Sequence, residues 1–287
     1  MKSGTHLLYR LLSSHPSILM SVPKEPSYFV APRQLRDLQP QLWRLGYWRD
    51  ETRYLRLFQP GDSKPYAGEA SVYYTHLPLA TGVAAKIKAF NPHSRLIYIM
   101  RDPIERTISH YWHRVVYNDE YRPLQQAIEE DRRYRDVSHY AMQLAPYLEA
   151  FGPSQLKTLT LEELIGNYSE TSKSIFQWLE VDPPCEIPPL AQENVGPTVM
   201  KRETRWWSAL RSFSRRHELD DLLASAVGSL PAKARNYGAA RTGRLVSRNE
   251  AATEDVIRFL KPLQRQETRE LSALLRRQFP EWRTLNS

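Results

Sequence analysis

Short apolar segments alternate with helical patterns along this chain, and that alternation restricts its fold most. Residues 17–21, 95–100 and 156–161 have the composition of buried strands. Leucines repeat at i, i+4 over residues 5–14, and the second strand leads through a proline turn into a helical pattern that ends near Val116. Strands joined by helices favour a parallel sheet. The pattern therefore predicts an α/β fold in which helices flank a parallel sheet.

The composition fits a single globular domain over residues 1–287, with 41% hydrophobic and 25% charged residues. A helix from about Leu77 to Phe90, and short helices and loops over residues 32–67, are predicted between the first two strands. No apolar run approaches the ~18 residues of a membrane span. Cys185 is the single cysteine, so no disulfide forms within the chain, thiolate metal sites are excluded, and a cytoplasmic location is favoured.

The net charge of +8 indicates anionic partners. Solvated helix faces account equally well for the basic clusters, which are Arg132, Arg133 and Arg135; Arg211, Arg215 and Arg216; and Arg265, Arg269, Arg276 and Arg277. Nucleic acid is not the expected partner, because the chain has neither zinc-finger spacing nor an RRM-type aromatic signature. Anionic small molecules and polysaccharides both fit.

A possible phosphate-binding turn, Lys2-Ser3-Gly4-Thr5, comes directly before the first predicted helix. It combines a cation, backbone donors, a hydroxyl and a glycine that permits close approach at a helix N-terminus. A simple helix N-cap is the alternative. The turn is not a Walker A loop, because the glycines of G-x-x-x-x-G-K-[ST] precede the lysine.

A second strand–turn–helix pattern places Arg101 at the end of a strand and Ser109 eight positions later. A cation at the strand tip and a hydroxyl in the following helix can converge on a second phosphate. The alternative is an ion pair from Arg101 to Asp102 or Glu105 that only shapes the turn. Two such sites in one sheet predict a ligand with phosphates at both ends.

These segments resemble the nucleotide-binding motifs of sulfotransferases that use 3′-phosphoadenosine 5′-phosphosulfate (PAPS). KSGTHLLYRLLSSHPSI resembles their 5′-phosphosulfate loop, and YIMRDPIERTISHYWH resembles their 3′-phosphate segment. Residues 25–29, residues 68–74 and the C-terminal RELSALLRRQFPEW resemble the heparan sulfate N- and O-sulfotransferase group. The resemblance implies a P-loop-like sheet and PAPS as co-substrate, with no metal.

The resemblance assigns donor-binding roles to the first turn. Lys2 is expected to neutralise charge on the bridging oxygen as the nucleotide leaves. Ser3, Gly4, Thr5 and His6 are expected to hold the 5′-phosphate and sulfuryl oxygens.

Other residues take roles from the same resemblance. Arg101 and Ser109 are expected to bind the 3′-phosphate, and Glu25 is expected to be the general base. His113 matches a catalytic histidine of the N-sulfotransferases, although a core or capping histidine is an equal alternative. Metal binding by His110 and His113 is disfavoured, because no third ligand is evident.

The chain departs from the heparan group at Ala70, where those enzymes carry a second active-site lysine. Lys64 is a candidate replacement. In the late basic region, Arg202 and the stretch Arg241-Thr-Gly-Arg244 are candidates for a loop that closes over the nucleotide, with Arg244 as a cofactor ligand; a solvated loop is the alternative.

The sequence as a whole predicts an enzyme that transfers a sulfuryl group from PAPS to a hydroxyl or amine. The acceptor is a small molecule or glycan: a saccharide, a lipid, a carrier-bound acyl chain or a natural product. A nucleotide or small-molecule kinase is one alternative. A non-catalytic basic module that binds anionic glycans or nucleic acid is the other. The sequence does not predict the oligomeric state.

In sulfotransferases the phosphosulfate loop follows a central strand, whereas Met1 precedes Lys2 here. A missing central strand leaves neighbouring strands with unpaired backbone groups, which are costly when buried. We therefore expect in-frame upstream sequence to encode about five to eight apolar residues of strand character. A stop codon just before Met1 together with full activity would contradict this expectation.

Overall fold

The computed structural model describes residues 2–59, 64–116, 120–184, 186–190, 199–203, 243–247 and 254–286. Contacts between residues divide the chain into two compact units, which are described separately below. The first unit comprises Met1–Arg106, Asp136–Glu193 and Lys261–Ser287. The second unit comprises Thr107–Arg135 and Asn194–Leu260.

Helices and strands alternate along the described chain. In order they are α1 (Thr5–Ser13), β1 (Ile18–Met20), α2 (Pro32–Leu38), α3 (Pro40–Leu45), α4 (Glu51–Leu55), β2 (Tyr66–Gly68), α5 (Val83–Phe90), β3 (Leu96–Met100), α6 (Pro103–Val116), α7 (Leu124–Glu130), α8 (Arg133–Asp136), α9 (Tyr140–Phe151), β4 (Leu156–Thr160), α10 (Leu161–Gly166), α11 (Tyr168–Trp178), β5 (Val199–Glu203), β6 (Gly243–Ser247), α12 (Glu254–Leu275) and α13 (Arg283–Asn286). Short 3₁₀ turns lie at Tyr47–Arg49, Arg56–Phe58 and Val72–Thr75.

The four strands of the first unit form two parallel pairs. β1 pairs with β2 in the register Ile18 to Tyr66, and β3 pairs with β4 in the register Leu96 to Leu156. Strands β5 and β6 of the second unit pair antiparallel. Parallel strands joined through helices confirm the predicted α/β class.

The core of the first unit forms where α1 packs on the strands and on α10 and α11. Its buried side chains include Leu11 of α1, Ile99 of β3, Leu159 of β4 and Phe176 of α11. The predicted i, i+4 leucine stripe supplies the α1 side of this core, because residues four apart share one helix face. The core therefore fixes α1, and with it the turn that precedes α1, against the strands.

A cavity of about 790 Å³ in the first unit is lined by residues of both parallel pairs. Consecutive residues of β2, Tyr66–Gly68, and of β3, Leu96–Ile99, belong to its wall. Successive side chains of a strand point to opposite faces. When consecutive residues of one strand line a cavity, the cavity therefore lies along the edge of that strand. β2 and β3 each have an edge along this cavity. The strand expected before Lys2 stays a prediction.

Two predictions of secondary structure are wrong in detail. The helix expected from Leu77 begins at Val83, after Gly82 with a φ of 72° at the N-cap. Such a left-handed N-cap residue separates the helix from the turn before it, and glycine adopts it without strain. The stretch 32–67 contains the expected short helices, α2 to α4, but ends within strand β2.

Buried carboxylates in the second unit neutralise part of its basic charge. Glu120 is 1% exposed and accepts two bonds from the Arg122 guanidinium, at 2.9 and 2.8 Å. Burial acts to raise the pKa of Asp131, but hydrogen bonds and charge from Arg133, with the charge of Arg114, lower it to about 2. The predicted basic cluster of Arg132, Arg133 and Arg135 thus contains an arginine, Arg133, that is paired with a carboxylate of the fold.

Over the described residues, no helix is long and apolar enough to cross a bilayer.

Candidate active site

The turn before α1 holds two residues in the left-handed backbone region. Lys2 has a φ of 65°, and Gly4, the N-cap of α1, has a φ of 85°. Among the described residues, no side chain caps the N-terminus of α1. The first backbone N–H groups of a helix have no partner within the helix, and they bind anions readily. The local geometry therefore agrees with the predicted anion-binding turn.

The backbone angle at Gly4 favours glycine, because a side chain would be strained at this φ. A Cβ atom at this position would also lie 2.5 Å from Leu161 Cδ1, at the start of α10, so the end of the Leu161 side chain would have to move.

Tyr140 lies beside both predicted phosphate-binding turns. Its hydroxyl donates to the Arg101 carbonyl at 2.8 Å and accepts from the Arg101 N–H at 3.3 Å. Burial raises the pKa of Tyr140 to about 12, against the opposing effects of the Arg106 charge, of the Arg101 backbone and of the nearby Ser3. Ser3, which is 3% exposed, lines one cavity of the first unit together with Tyr140. The two turns lie next to each other in the first unit.

The Arg101 side chain forms the ion pair that the sequence left as an alternative. Its Nη2 lies 2.7 Å from Glu105 Oε2, and the two side chains are 26% and 46% exposed. Asp102 has a different role: its buried carboxylate accepts from the N–H groups of Ile104 and Glu105 and from Thr284. An exposed pair of this kind contributes about 0–1 kcal/mol. The pair with Glu105 therefore holds the Arg101 side chain only weakly.

Glu25 lies beside a lysine that the sequence analysis did not select. Lys24 Nζ is 3.4 Å from Glu25 Oε1 and donates to Thr5 Oγ1 at 3.0 Å. The two charged side chains are 17% and 27% exposed. Burial lowers the pKa of Lys24, and the Glu25 carboxylate opposes that shift. The Lys24 side chain therefore contacts both the predicted base, Glu25, and Thr5 of the predicted phosphosulfate turn.

The loop that contains Glu25 (residues 25–29, called the Glu25 loop) is held in place through the carboxylate of Glu69. Three hydroxyl groups donate to this carboxylate, from Tyr54, Ser71 and Tyr74. The Ser71 hydroxyl also accepts from the Ser27 N–H at 2.9 Å, and the Tyr74 hydroxyl accepts from the Phe29 N–H at 3.4 Å. Glu69 therefore orients the acceptors to which the backbone of the Glu25 loop is bonded.

We expect Glu69 to make the stability of the protein depend on pH. Burial raises its pKa from 4.5 to about 7, although the hydrogen bonds from Ser71, Tyr74 and Tyr54 oppose this and the Glu25 charge adds to it. The folded state then keeps a proton that the unfolded chain releases. Stability should fall as the pH rises from about 4.5 to about 7 and level off above that range.

Thermal unfolding of wild type and Glu69→Gln at several pH values checks this expectation. The difference in melting temperature between the two proteins should move in favour of Glu69→Gln between pH 5 and 7. Equal slopes of melting temperature against pH would show that Glu69 ionises in the folded state as it does in the unfolded chain.

The remaining predicted residues are placed as follows. The exposed ring of His6 stacks on Tyr9 at 6.4 Å, and burial, followed by the charges of Lys24 and Arg10, lowers its pKa. In the part of α6 that belongs to the second unit, Ser109 is buried and His113 is half-buried. The structure leaves the roles of Ser109 and His113 as predictions.

Two further candidate cations are placed as follows. Arg244 is in β6, directly opposite Arg202 of β5, so the expected loop is a β-ribbon at these two positions; residues 241 and 242 lie outside the described residues. Lys64 Nζ lies 3.5 Å from the carbonyl of Ile18. Within the described ranges, no group of three or more His, Cys, Asp or Glu side chains is arranged to hold a metal ion.

The chain is thus an α/β protein in which two cationic turns, each at the start of a helix, lie beside parallel strands. The family model of the sulfotransferase family matches residues 1–184, and the chain belongs to this family. A search of the curated proteins gave no match.

Among the solved structures that match this chain are two sulfotransferases. The sulfotransferase from Alicyclobacillus acidocaldarius is 22% identical with a TM-score of 0.67, and the match covers 98% of this chain and 95% of that one. The sulfotransferase domain from the curacin biosynthetic pathway is 16% identical with a TM-score of 0.43, covering 68% and 75%. The first of these likenesses shows that the chain has a sulfotransferase fold, which is P-loop-like as predicted.

Proposed function

We propose that this protein is an enzyme that transfers a sulfuryl group from PAPS to a hydroxyl or amine of a small-molecule or glycan acceptor. The observation that carries the proposal is the position of Tyr140, whose hydroxyl bonds to the backbone of Arg101 and which lines one cavity of the first unit together with Ser3 and Thr5. The two cationic turns therefore lie close to each other within one unit. PAPS carries a 5′-phosphosulfate and a 3′-phosphate, so it needs two such turns.

The residues of the first turn suit the 5′ end of the donor. Lys2 offers a positive charge, Thr5 a hydroxyl, and Gly4 a backbone without a side chain of its own. We assign Ser3 and His6 to the same turn as further ligands of the 5′-phosphosulfate. Electrostatic stabilisation by groups fixed in advance is the main contribution expected of such a site.

The second turn and the following helix suit the 3′ end. Arg101 would exchange its ion pair with Glu105 for the 3′-phosphate, and Ser109 would donate a hydroxyl. Arg244 completes the set of proposed donor ligands. A bidentate guanidinium–phosphate contact has the planar geometry that arginine provides.

PAPS supplies an activated sulfuryl group, whose bond to the 5′-phosphate oxygen breaks as sulfur bonds to the acceptor oxygen or nitrogen. Glu25 takes the proton that the acceptor loses, and 3′-phosphoadenosine 5′-phosphate (PAP) leaves. A carboxylate performs this task when it lies within hydrogen-bond reach of the acceptor. His113 is assigned as a second catalytic group, which assists proton transfer or binds the transferring group.

The acceptor is proposed only by class. Ala70 stands where the heparan sulfate enzymes carry a lysine, so a heparan-type acceptor is disfavoured relative to other saccharides, lipids, carrier-bound acyl chains and natural products. Incubation with labelled PAPS and a panel of such compounds or a cell lysate, followed by identification of the sulfated product, would define the acceptor.

A comparison of PAPS with ATP tests the proposed donor. We expect calorimetry to detect PAPS and PAP with dissociation constants in the micromolar range, about −8 kcal/mol, and to find ATP at least tenfold weaker. ATP binding as tight as PAPS would instead support a kinase. Binding of heparin or nucleic acid with steep salt dependence, and no binding of nucleotide, would support a non-catalytic basic module.

A further inference from the structure

Lys24 is the charged side chain that directly links the phosphosulfate turn to the proposed base. Its Nζ donates to Thr5 Oγ1 at 3.0 Å and lies 3.4 Å from Glu25 Oε1. The side chain is 17% exposed, so most of its length is packed against protein. Lys24 thus lies between a hydroxyl of the proposed donor site and the carboxylate of the proposed base.

The backbone around Lys24 is also fixed. Its carbonyl accepts from the Ala70 N–H at 3.1 Å, and the following turn is tied to Ser71 through Ser27. The ammonium group therefore has a defined position beside α1. Preorganised charge costs little reorganisation during a reaction and acts more strongly where water is excluded.

We propose that Lys24 binds the sulfuryl oxygens of the donor and stabilises the charge that they carry during transfer. The inference rests on the proposed function, since it needs PAPS in the phosphosulfate turn. The ammonium group has three N–H donors. In the structure, Thr5 and Glu25 accept two of these donors. A ligand bound at the phosphosulfate turn would accept the third donor or replace the Glu25 contact.

Burial supports the same role. It lowers the pKa of Lys24, which means that the surroundings solvate the ammonium less well than water does. Glu25 compensates in part. An anion that enters the site would compensate further, so binding of a sulfuryl group would stabilise the charged lysine and be stabilised by it.

Equilibrium binding of PAPS and PAP separates a sulfuryl contact from a general effect on the loop, because the two ligands differ only in the sulfuryl group. In Lys24→Met, we expect PAPS affinity to fall by about tenfold to a hundredfold, the range for loss of a charge-assisted hydrogen bond. PAP affinity should change by less than about threefold. Isothermal titration calorimetry without acceptor measures both constants.

Lys157→Met is the matched control, because Lys157 Nζ also donates to a hydroxyl of the first unit, that of Ser174 at 3.0 Å, and neither residue is a proposed ligand. It should leave the ratio of the PAPS and PAP constants unchanged. Lys24→Gln keeps a donor for Thr5 and loses the charge. If Lys24→Met does not unfold cooperatively and is therefore not folded, PAPS and PAP are titrated into Lys24→Gln in its place.

The outcomes separate the two proposals. Equal weakening of PAPS and PAP in a folded Lys24 variant would overturn the inference, because Lys24 would then only shape the turn. Unchanged affinity for both ligands would overturn it as well. A wild-type protein that binds neither PAPS nor PAP would instead overturn the proposed function.

Discussion

Glu25→Gln should lower turnover by about 10²- to 10⁴-fold, the range expected for loss of a general base. The amide keeps the shape of the side chain and cannot accept the proton of the acceptor. Glu25 is 27% exposed at the edge of the phosphosulfate turn, so the substitution leaves the core intact. PAP affinity should be nearly unchanged. Sulfate transfer from labelled PAPS to the identified acceptor, with PAP titration of the same variant, measures both quantities.

Glu170→Gln is a matched control, because Glu170 also pairs with a lysine, Lys173, at 2.8 Å on α11. Its turnover should equal that of the wild type. Undiminished turnover in Glu25→Gln would show that Glu25 is not the base. The role would then fall to His113, and His113→Ala should produce the loss expected here for Glu25→Gln.

The sequence predicted those parts of the fold and the site that depend on neighbouring residues. A leucine stripe specifies α1, and a run of β-branched and apolar residues followed by a proline turn specifies β3 and the start of α6. Each signal acts within one turn of helix or one strand, so periodicity and turn residues reveal it. The Lys2–Thr5 and Arg101 turns were predicted because they lie at ends of such elements.

Contacts between segments that are distant in the sequence could not be predicted from periodicity and turn residues. Tyr140 lies 39 positions after the Arg101 that it holds, and Glu69 lies far along the chain from the loop that it supports. Lys24 precedes the predicted base directly, but its contact with Thr5 crosses 19 positions. The adjacent charges of Lys24 and Glu25 were a local signal for this site. Two neighbouring residues that form only an exposed ion pair have the same sequence pattern, so the signal did not select Lys24.

Arg101→Ala should remove most of the stabilisation that PAP confers. Any ligand that binds only the folded state stabilises it, and at a hundredfold excess over its dissociation constant the gain is about 2.7 kcal/mol. The guanidinium is the proposed partner of the 3′-phosphate, and it gives up only the partly exposed Glu105 in exchange. Adenosine 5′-phosphate, which lacks the 3′-phosphate, should stabilise the wild type much less than PAP. Thermal unfolding with each nucleotide measures these differences.

Arg277→Ala provides the matched control for the loss of an arginine. Arg277 pairs with Glu281 four residues on, at 2.8 Å, and its side chain is 25% exposed, against 26% for Arg101. It also pairs with Glu163 at 2.6 Å, so this variant should lose at least as much intrinsic stability as Arg101→Ala. It should nevertheless keep the full stabilisation by PAP. If PAP and adenosine 5′-phosphate raised the melting temperature of the wild type equally, the second turn would not bind the 3′-phosphate, and the pair with Glu105 would be structural.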